Sequence, residues 1–292
     1  MSLANFIPTV WSANILANLN KQHVYAQPGI VNRDYEGQIS AFGDTVKINS
    51  FGRVSTFDYT KNTNLPDPEV LTSSQRTLSI TEARAFNFYI DDIDKAQAQP
   101  ALMGPATAEA SYSLAEDADQ FVGAMYVDGT PPLTGTAGAP IELTPADAYD
   151  LLVELGIKLK GQRIVGDKTA VIPEWFGGLV AKDPRFLAGS EGQQVLRTGF
   201  AGRVANTTLV ESANVPTVGS GTSKGWALQV STPAARSYVE QIVQTEGYRP
   251  EKRFGDALKG LHVYGGKVIR PEALVTAIVR PASGTFRAGV VA

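Results

Sequence analysis

His23 and His262 are the only histidines in this chain of 292 residues, and it has no cysteine. The usual zinc ligand sets therefore cannot be assembled, and disulfide and thiol chemistry are absent. His262 alternates with Val263 and Tyr264 in a strand pattern, which is a packing position. Asp91, Asp92 and Asp94 cluster three carboxylates, but the spaced calcium loop with its terminal glutamate is missing. They read as a charged turn ahead of a helix. Gly219-Ser220-Gly221-Thr222-Ser223-Lys224-Gly225 has the composition of a phosphate-cradling loop in the wrong order, since Lys224 precedes Gly225 and no Ser or Thr follows. Gly199-Phe200-Ala201-Gly202 matches the GxxG of one RNA-binding module without the rest of that module. No nucleophile elbow G-x-S-x-G occurs, and nothing pairs two carboxylates as acid and base. These residues argue for no enzyme, cofactor or metal.

The elements that could position such groups point elsewhere. Two strand-like runs bound the stretch from Gly43 to Ile90. In the first, Val46 and Ile48 face one side while Thr45, Lys47 and Asn49 face the other. The second, from Gln75 to Ile90, places Leu78, Ile80, Phe86, Phe88 and Ile90 on one parity, interrupted by Arg76, Glu82 and Arg84. Between them, Arg53 to Ser74 is polar and Pro-containing, with Val54, Phe57, Leu65, Val70 and Leu71 scattered through it. A connection of about twenty residues without a core of its own is uncommon inside a compact domain, and an isolated two-stranded ribbon is marginal in water. Either the chain folds back over this ribbon or another copy supports it.

Composition sets the frame. A hydrophobic content of 43% supports a sizeable core, and Gly 28 with Pro 17 implies many turns. This is an α+β mixture with two domains, or one domain with large insertions, as the prior. No signal peptide is evident at Met1-Ser2-Leu3-Ala4-Asn5, and no window approaches the roughly 18 apolar residues of a membrane span, so a soluble protein is expected. The net charge of −3 argues against a general nucleic-acid binder. Charge is unevenly spread: Ala96 to Ile157 holds no Lys or Arg but contains Glu109, Glu116, Asp117, Asp119, Asp128, Glu142, Asp147, Asp150 and Glu154. Basic residues return at Arg249, Lys252, Arg253 and Lys259. A solvated acidic face is one reading; acidic and basic surfaces meeting between copies is the other.

Ahead of the ribbon, Trp11, Ile15, Leu16 and Leu19 recur at helix spacing, and His23 to Asp34 is turn-rich around Pro28-Gly29. Behind it, Pro105 suits a first helical position and Gly129 a stop, with Ala110, Leu114, Ala118, Phe121, Val122 and Met125 on one stripe between them. Thr130 to Pro140 reads as a linker. Thr144, Pro145 and Asp147 then start a capped helix, Thr169–Ile172 is a buried strand, and another helix begins at Pro173. Val218 to Gly225 is a flexible loop, strands follow to Val279, and the residues after Pro281 read as a loose tail.

In this order the parts resemble the major capsid proteins of tailed bacteriophages, the Hong Kong 97-like fold. The local echoes are Phe6-Ile7-Pro8-Thr9-Val10-Trp11-Ser12, the run Asn32-Arg33-Asp34-Tyr35-Glu36-Gly37 leading to Gly43-Asp44-Thr45-Val46, and Arg197-Thr198-Gly199-Phe200-Ala201-Gly202-Arg203. The resemblance implies an α+β fold divided into an N-terminal arm (1–42), an extended β-hairpin loop (43–90), a peripheral domain with a long spine helix (91–142 and 226–280), an axial domain (143–225) and a C-terminal tail (281–292). It implies a structural subunit, not an enzyme, that forms pentamers and hexamers of an icosahedral shell around double-stranded DNA without reading its sequence. It also implies a separate scaffolding protein, a portal and a decoration protein as partners, assembly in the bacterial cytoplasm, and no membrane. Trp11, Arg53, Phe57, Lys61, Leu65, Glu69, Arg76, Glu82, Arg84, Arg249, Lys252 and Arg253 are the expected subunit-interface residues. An encapsulin-like cellular compartment and an α+β enzyme with a long lid are the alternatives.

Overall fold

The computed structural model describes residues 23–36, 43–51, 54–64, 67–70, 73–91, 103–164, 166–183, 185 and 202–286. Trp11, Arg53, Leu65, Leu71, Asp92, Asp94 and the Gly199-Phe200-Ala201 run lie outside them.

The ribbon exists, but its second run is two strands. β1 (Thr45–Phe51) pairs antiparallel with β2 (Ser73–Ser79), from Thr45 opposite Ser79 to Phe51 opposite Ser73. The chain breaks at Ile80 and Thr81, and β3 (Glu82–Asp91) leaves to pair elsewhere. Ile80 closes the root of the ribbon, donating its N–H to Asp44 and accepting the N–H of Gly43, at 3.1 and 3.2 Å. A single strand across Gln75–Ile90 is thus corrected: the parity interrupted by Glu82 and Arg84 marks a change of partner.

A 22-residue helix follows, α1 (Met103–Ala124), about 33 Å long at 1.5 Å per residue. A short 3-10 turn, Met125–Asp128, ends it, and Gly129 donates back to Tyr126 at 3.0 Å. Leu114, Ala115, Ala118 and Val122 form its buried stripe.

The largest unit is a sheet in the order β4-β12-β9-β5-β7-β6, with β8 on β9. Its strands are β4 (Ile141–Leu143), β5 (Lys168–Ile172), β6 (Arg203–Val204), β7 (Thr207–Glu211), β8 (Thr217–Val218), β9 (Gly225–Ser231) and β12 (Leu274–Pro281). α2 (Pro145–Gly161) and α3 (Glu174–Lys182) pack on one face. α2 forms where its capping box is local: Asp147 accepts the Thr144 N–H at 3.0 Å while Pro145 presets the first turn. Its Leu151, Leu152, Leu155 and Leu159 join Trp175, Phe176 and Leu179 of α3 over Ala170, Ile172, Leu228, Val230, Val275 and Ala277 of the sheet. The alternate residues Val171 and Leu274 point into a second core with Ala118, Val122 and Met125.

A boundary at 225/226 falls inside this sheet. β5 is buried along its length and needs partners on both edges; β7 supplies one in parallel and β9, from beyond the expected boundary, supplies the other. Val218 to Gly225 is not a featureless loop either, since β8 pairs with β9 and a 3-10 turn spans Gly221–Ser223. The expected loose tail is seated as far as Phe286: Ala282 donates to Leu143 at 2.9 Å, and the Lys182 ammonium lies 4.3 Å from the Phe286 ring centre.

A smaller sheet joins β10 (Arg236–Tyr248), β11 (Gly255–Val268) and β3, all antiparallel. It also receives the ribbon root. Ile48, Leu78 and Ile80 are buried against Val239 and Val263, with Tyr35, Val46 and Ile269 around them. Full burial of such side chains stabilises by about 1.5–3 kcal/mol each, so the root belongs to its own subunit. Two adjacent glycines in β11 permit this. A Cβ on Gly265 would lie 2.2 Å from the Ser79 carbonyl oxygen, and one on Gly266 would lie 2.3 Å from Met125 Cε on the opposite face.

Gly265→Ala should therefore cost about 1–3 kcal/mol by forcing the root off β11. Gly138→Ala, with open space around it, should be near neutral in the same urea denaturation series.

Candidate assembly surfaces and the buried clasp behind them

The ribbon changes character along its length. Beyond Ile48 and Leu78 its own subunit stops covering it: residues 54–64 and 67–70 are all exposed, including Val54, Phe57, Tyr59 and Val70, the last at 87%. The tip is nevertheless shaped. Thr63 donates its N–H to Thr60 at 3.2 Å around a left-handed Asn62 (φ 66°), and Glu69 accepts the Ser55 N–H at 2.9 Å. Phe57, Lys61 and Glu69 thus lie together on the uncovered tip. A lid over a pocket of the same subunit does not describe this segment.

A second exposed projection is the turn between β10 and β11. Phe254 is 82% exposed, Lys252 is exposed, and Arg253 lies over the Tyr89 ring at 5.7 Å. Tyr89 donates its hydroxyl to the Phe254 carbonyl at 2.7 Å, and Arg249 lies 3.9 Å from Asp256. This tip is basic and aromatic.

Other expected interface residues are engaged at home. Arg76 donates to the Val268 carbonyl at 2.9 Å, which helps to seat the root. Glu82 opens β3 opposite Tyr264, and Arg84, half exposed, lies 3.8 Å from Asp117 of α1. The acid-rich stretch is also largely answered inside the subunit. Asp128 meets Lys267 at 3.2 Å, Glu142 meets Arg280, Asp150 meets Arg185 at 2.8 Å, and Asp147 caps α2. Glu109, Glu116 and Glu154 remain as exposed acids.

Asp119 is not a surface acid at all. It is 2% exposed on α1 and accepts three successive backbone N–H groups, from Val24 at 2.7 Å and from Tyr25 and Ala26 at 3.0 Å. Three convergent amides make a good carboxylate cradle. His23 completes it, with Nδ1 3.5 Å from Asp119 and Nε2 3.0 Å from Glu240 of β10. Glu240 also accepts the Tyr238 hydroxyl at 2.9 Å, pairs with Arg33, and lies 3.3 Å from Nε2 of His262 on β11. Burial alone would lower the His23 pKa, but the hydrogen bonds and charges of the two carboxylates outweigh it and push it up to about 9. Burial alone would likewise raise Glu240; His23, His262 and Arg33 hold it far below the usual carboxylate range.

The end of α1 is held the same way. Its last turn contains no basic residue, so the cation comes from β10: Arg236, fully buried, donates to the Val122 carbonyl at 3.2 Å and to Gln229 at 2.8 Å. Gln229 donates to the Gly123 carbonyl at 2.8 Å, so two orphan carbonyls of the helix end are satisfied. Burial pushes the Arg236 guanidinium down to about 10.

Among the described residues no group of three or more His, Cys, Asp or Glu side chains is arranged to hold a metal ion, and no helix is long and apolar enough to cross a membrane. The geometry presents projecting tips on a braced body. A sequence model of the family described as "Phage capsid protein" matches residues 75–277. The chain belongs to that family. The capsid subunit superposes on the structure from Mycobacterium phage Che8 with a TM-score of 0.71 at 27% identity, covering 87% of this chain and 90% of that one. The capsid structure of the cyanophage P-SCSP1u gives 0.69 at 16% identity, over 89% of each chain. A virus-like particle from Pyrococcus furiosus gives 0.57 at 14% identity, over 91% of this chain and 97% of that one. At those lower identities the likeness shows the fold. No curated protein matches the sequence. This is a Hong Kong 97-like major capsid protein, a structural subunit of the shell.

Sequence reasoning missed the clasp, because its members are 95 and 217 positions apart in the chain. Asp119→Ala removes the acceptor of three amides and leaves His23 with one carboxylate. A loss of about 3–5 kcal/mol is expected, against about 0.5 kcal/mol or less for the exposed Glu116→Ala, in guanidinium denaturation of the purified subunit.

Proposed function

We propose that the subunit assembles through pentamers and hexamers into the icosahedral head shell of a tailed phage, with each ribbon tip lying on a neighbouring copy. The observation that carries this is the tip itself: a shaped loop with Val54, Phe57, Tyr59 and Val70 exposed and no cover from the described residues of its own chain. Exposed apolar surface of this kind marks an interaction site, and a shell repeats each modest contact over many copies. Asp58, Asp67 and Glu69 on the tip complement Lys252 and Arg253 on the β10–β11 turn, which supports a meeting of these two projections between copies.

In this assignment the large sheet with α2 and α3 stands at the local symmetry axis. α1 and the three-stranded sheet form the periphery, and the arm carrying Trp11 reaches along a neighbour. Arg53 and Leu65 join the tip contact. The shell encloses double-stranded DNA without reading it, in keeping with 26 basic against 29 acidic residues and no recognition motif. The role is non-catalytic. Scaffolding, portal and decoration proteins act as separate partners, and assembly takes place in the host bacterial cytoplasm.

Deleting residues 56–69 should leave a folded subunit with an unchanged far-UV spectrum while closed shells disappear from negative-stain micrographs. Lys252→Glu with Arg253→Glu should impair assembly in the same way. Shells of normal size from both variants would remove the ribbon tip and the β10–β11 turn from the interface.

A further inference from the structure

The segment 23–36 is attached to the capsid subunit in an unusual way. It contributes no strand to either sheet beyond a single bridge, Asn32 to Ser237, and it folds as turns. Its backbone is tied at one end by the three amides on Asp119, and at the other by Asn32, which donates to Arg236 at 2.8 Å and accepts from Tyr238 at 2.9 Å. Tyr25, Ala26, Ile30 and Val31 are buried beneath it. His23 is the cation common to the helix and the sheet: it touches Asp119 of α1 and Glu240 of β10 at once.

We propose that residues 23–36 are a releasable strap, held closed by the positive charge that His23 shares between Asp119 and Glu240, and that release lengthens the reach of the chain ahead of it. The charged and titratable groups around His23 come from every element packed there. They are Asp119 of α1, Glu240 and Tyr238 of β10, His262 and Tyr264 of β11, and Tyr25, Arg33 and Glu36 of the strap itself. Arg33 and His262 face Glu240, so Asp119 relies on His23. When the imidazolium loses its proton, it can donate to one carboxylate only, and Asp119 keeps its three amides but has no cation against it. The α2 and α3 side of the large sheet, whose core contains no residue of the strap, stays folded. Open, the strap adds the extended length of residues 23–36, about 45 Å, to the tether ahead of the ribbon.

The sign follows from His23. Its value in the subunit, about 9, lies above its ordinary 6.5, so the strap is held fully below about pH 6.5 and progressively loosens as pH rises through 9. Glu240, held far below the usual carboxylate range, keeps its side of the clasp charged as pH falls.

Hydrogen exchange of the purified full-length subunit, read by mass spectrometry on peptides within 23–36 and within β9, tests this without reference to shell formation. Between pH 6.5 and 9.5, protection of the strap relative to β9 should fall on the order of a hundredfold, as a shift of this size dictates. His23→Lys, which keeps its charge over that range, should abolish the fall. Glu240→Gln should move the opening to lower pH. Arg236 titrates alike in all of these proteins. A strap protected equally with β9 at both pH values, or an opening unmoved in both variants, would overturn the proposal.

Discussion

The position of α1 rests on charges brought to it from distant parts of the chain. Asp119 on its buried face is answered by His23 and three amides of the preceding segment, and its C-terminal carbonyls are answered by Arg236 and Gln229. Buried charges are tolerated only when paired and hydrogen-bonded, so each contact fixes its partners as firmly as it fixes the helix. The strap, α1 and the β10–β11 sheet therefore form one braced body. The ribbon root is built on that body, through Val239 and Val263 beside the same strands.

From the root outwards the constraint reverses. A shell subunit must be stable alone yet keep surface in reserve for its neighbours. The ribbon divides the two demands along its length: Ile48, Leu78 and Ile80 are buried at home, while Phe57, Tyr59 and Val70 are left in solvent. The close approach at the root needs Gly265, where a Cβ would meet the Ser79 backbone, and the neighbouring Gly266 leaves room for the end of the Met125 side chain on the other face. Their place in a strand would otherwise be a weakness.

What could be read directly from the residues was whatever depends on neighbours in sequence. The capping box of α2, the buried strand β5, the long helix and the exposed ribbon tip rest on spacings of a few residues, and the structure shows each. The strand break at Ile80–Thr81 was hidden because β1 and β11 accept the same alternating pattern. The sheet order was hidden because β5 takes an edge partner, β9, from more than fifty positions away.

By itself, the sequence determined the absence of thiol chemistry, the order of ribbon, long helix and sheets, and a resemblance to phage capsid proteins that the family match over residues 75–277 bears out. Only the tertiary structure decided which charges are surface and which are structural. Asp119 and Glu116 lie three positions apart on one helix, yet one is locked beneath the strap and the other stands in solvent. The reason is that burial and pairing are properties of a folded neighbourhood: a carboxylate acquires its role from the amides and cations that distant segments bring to it.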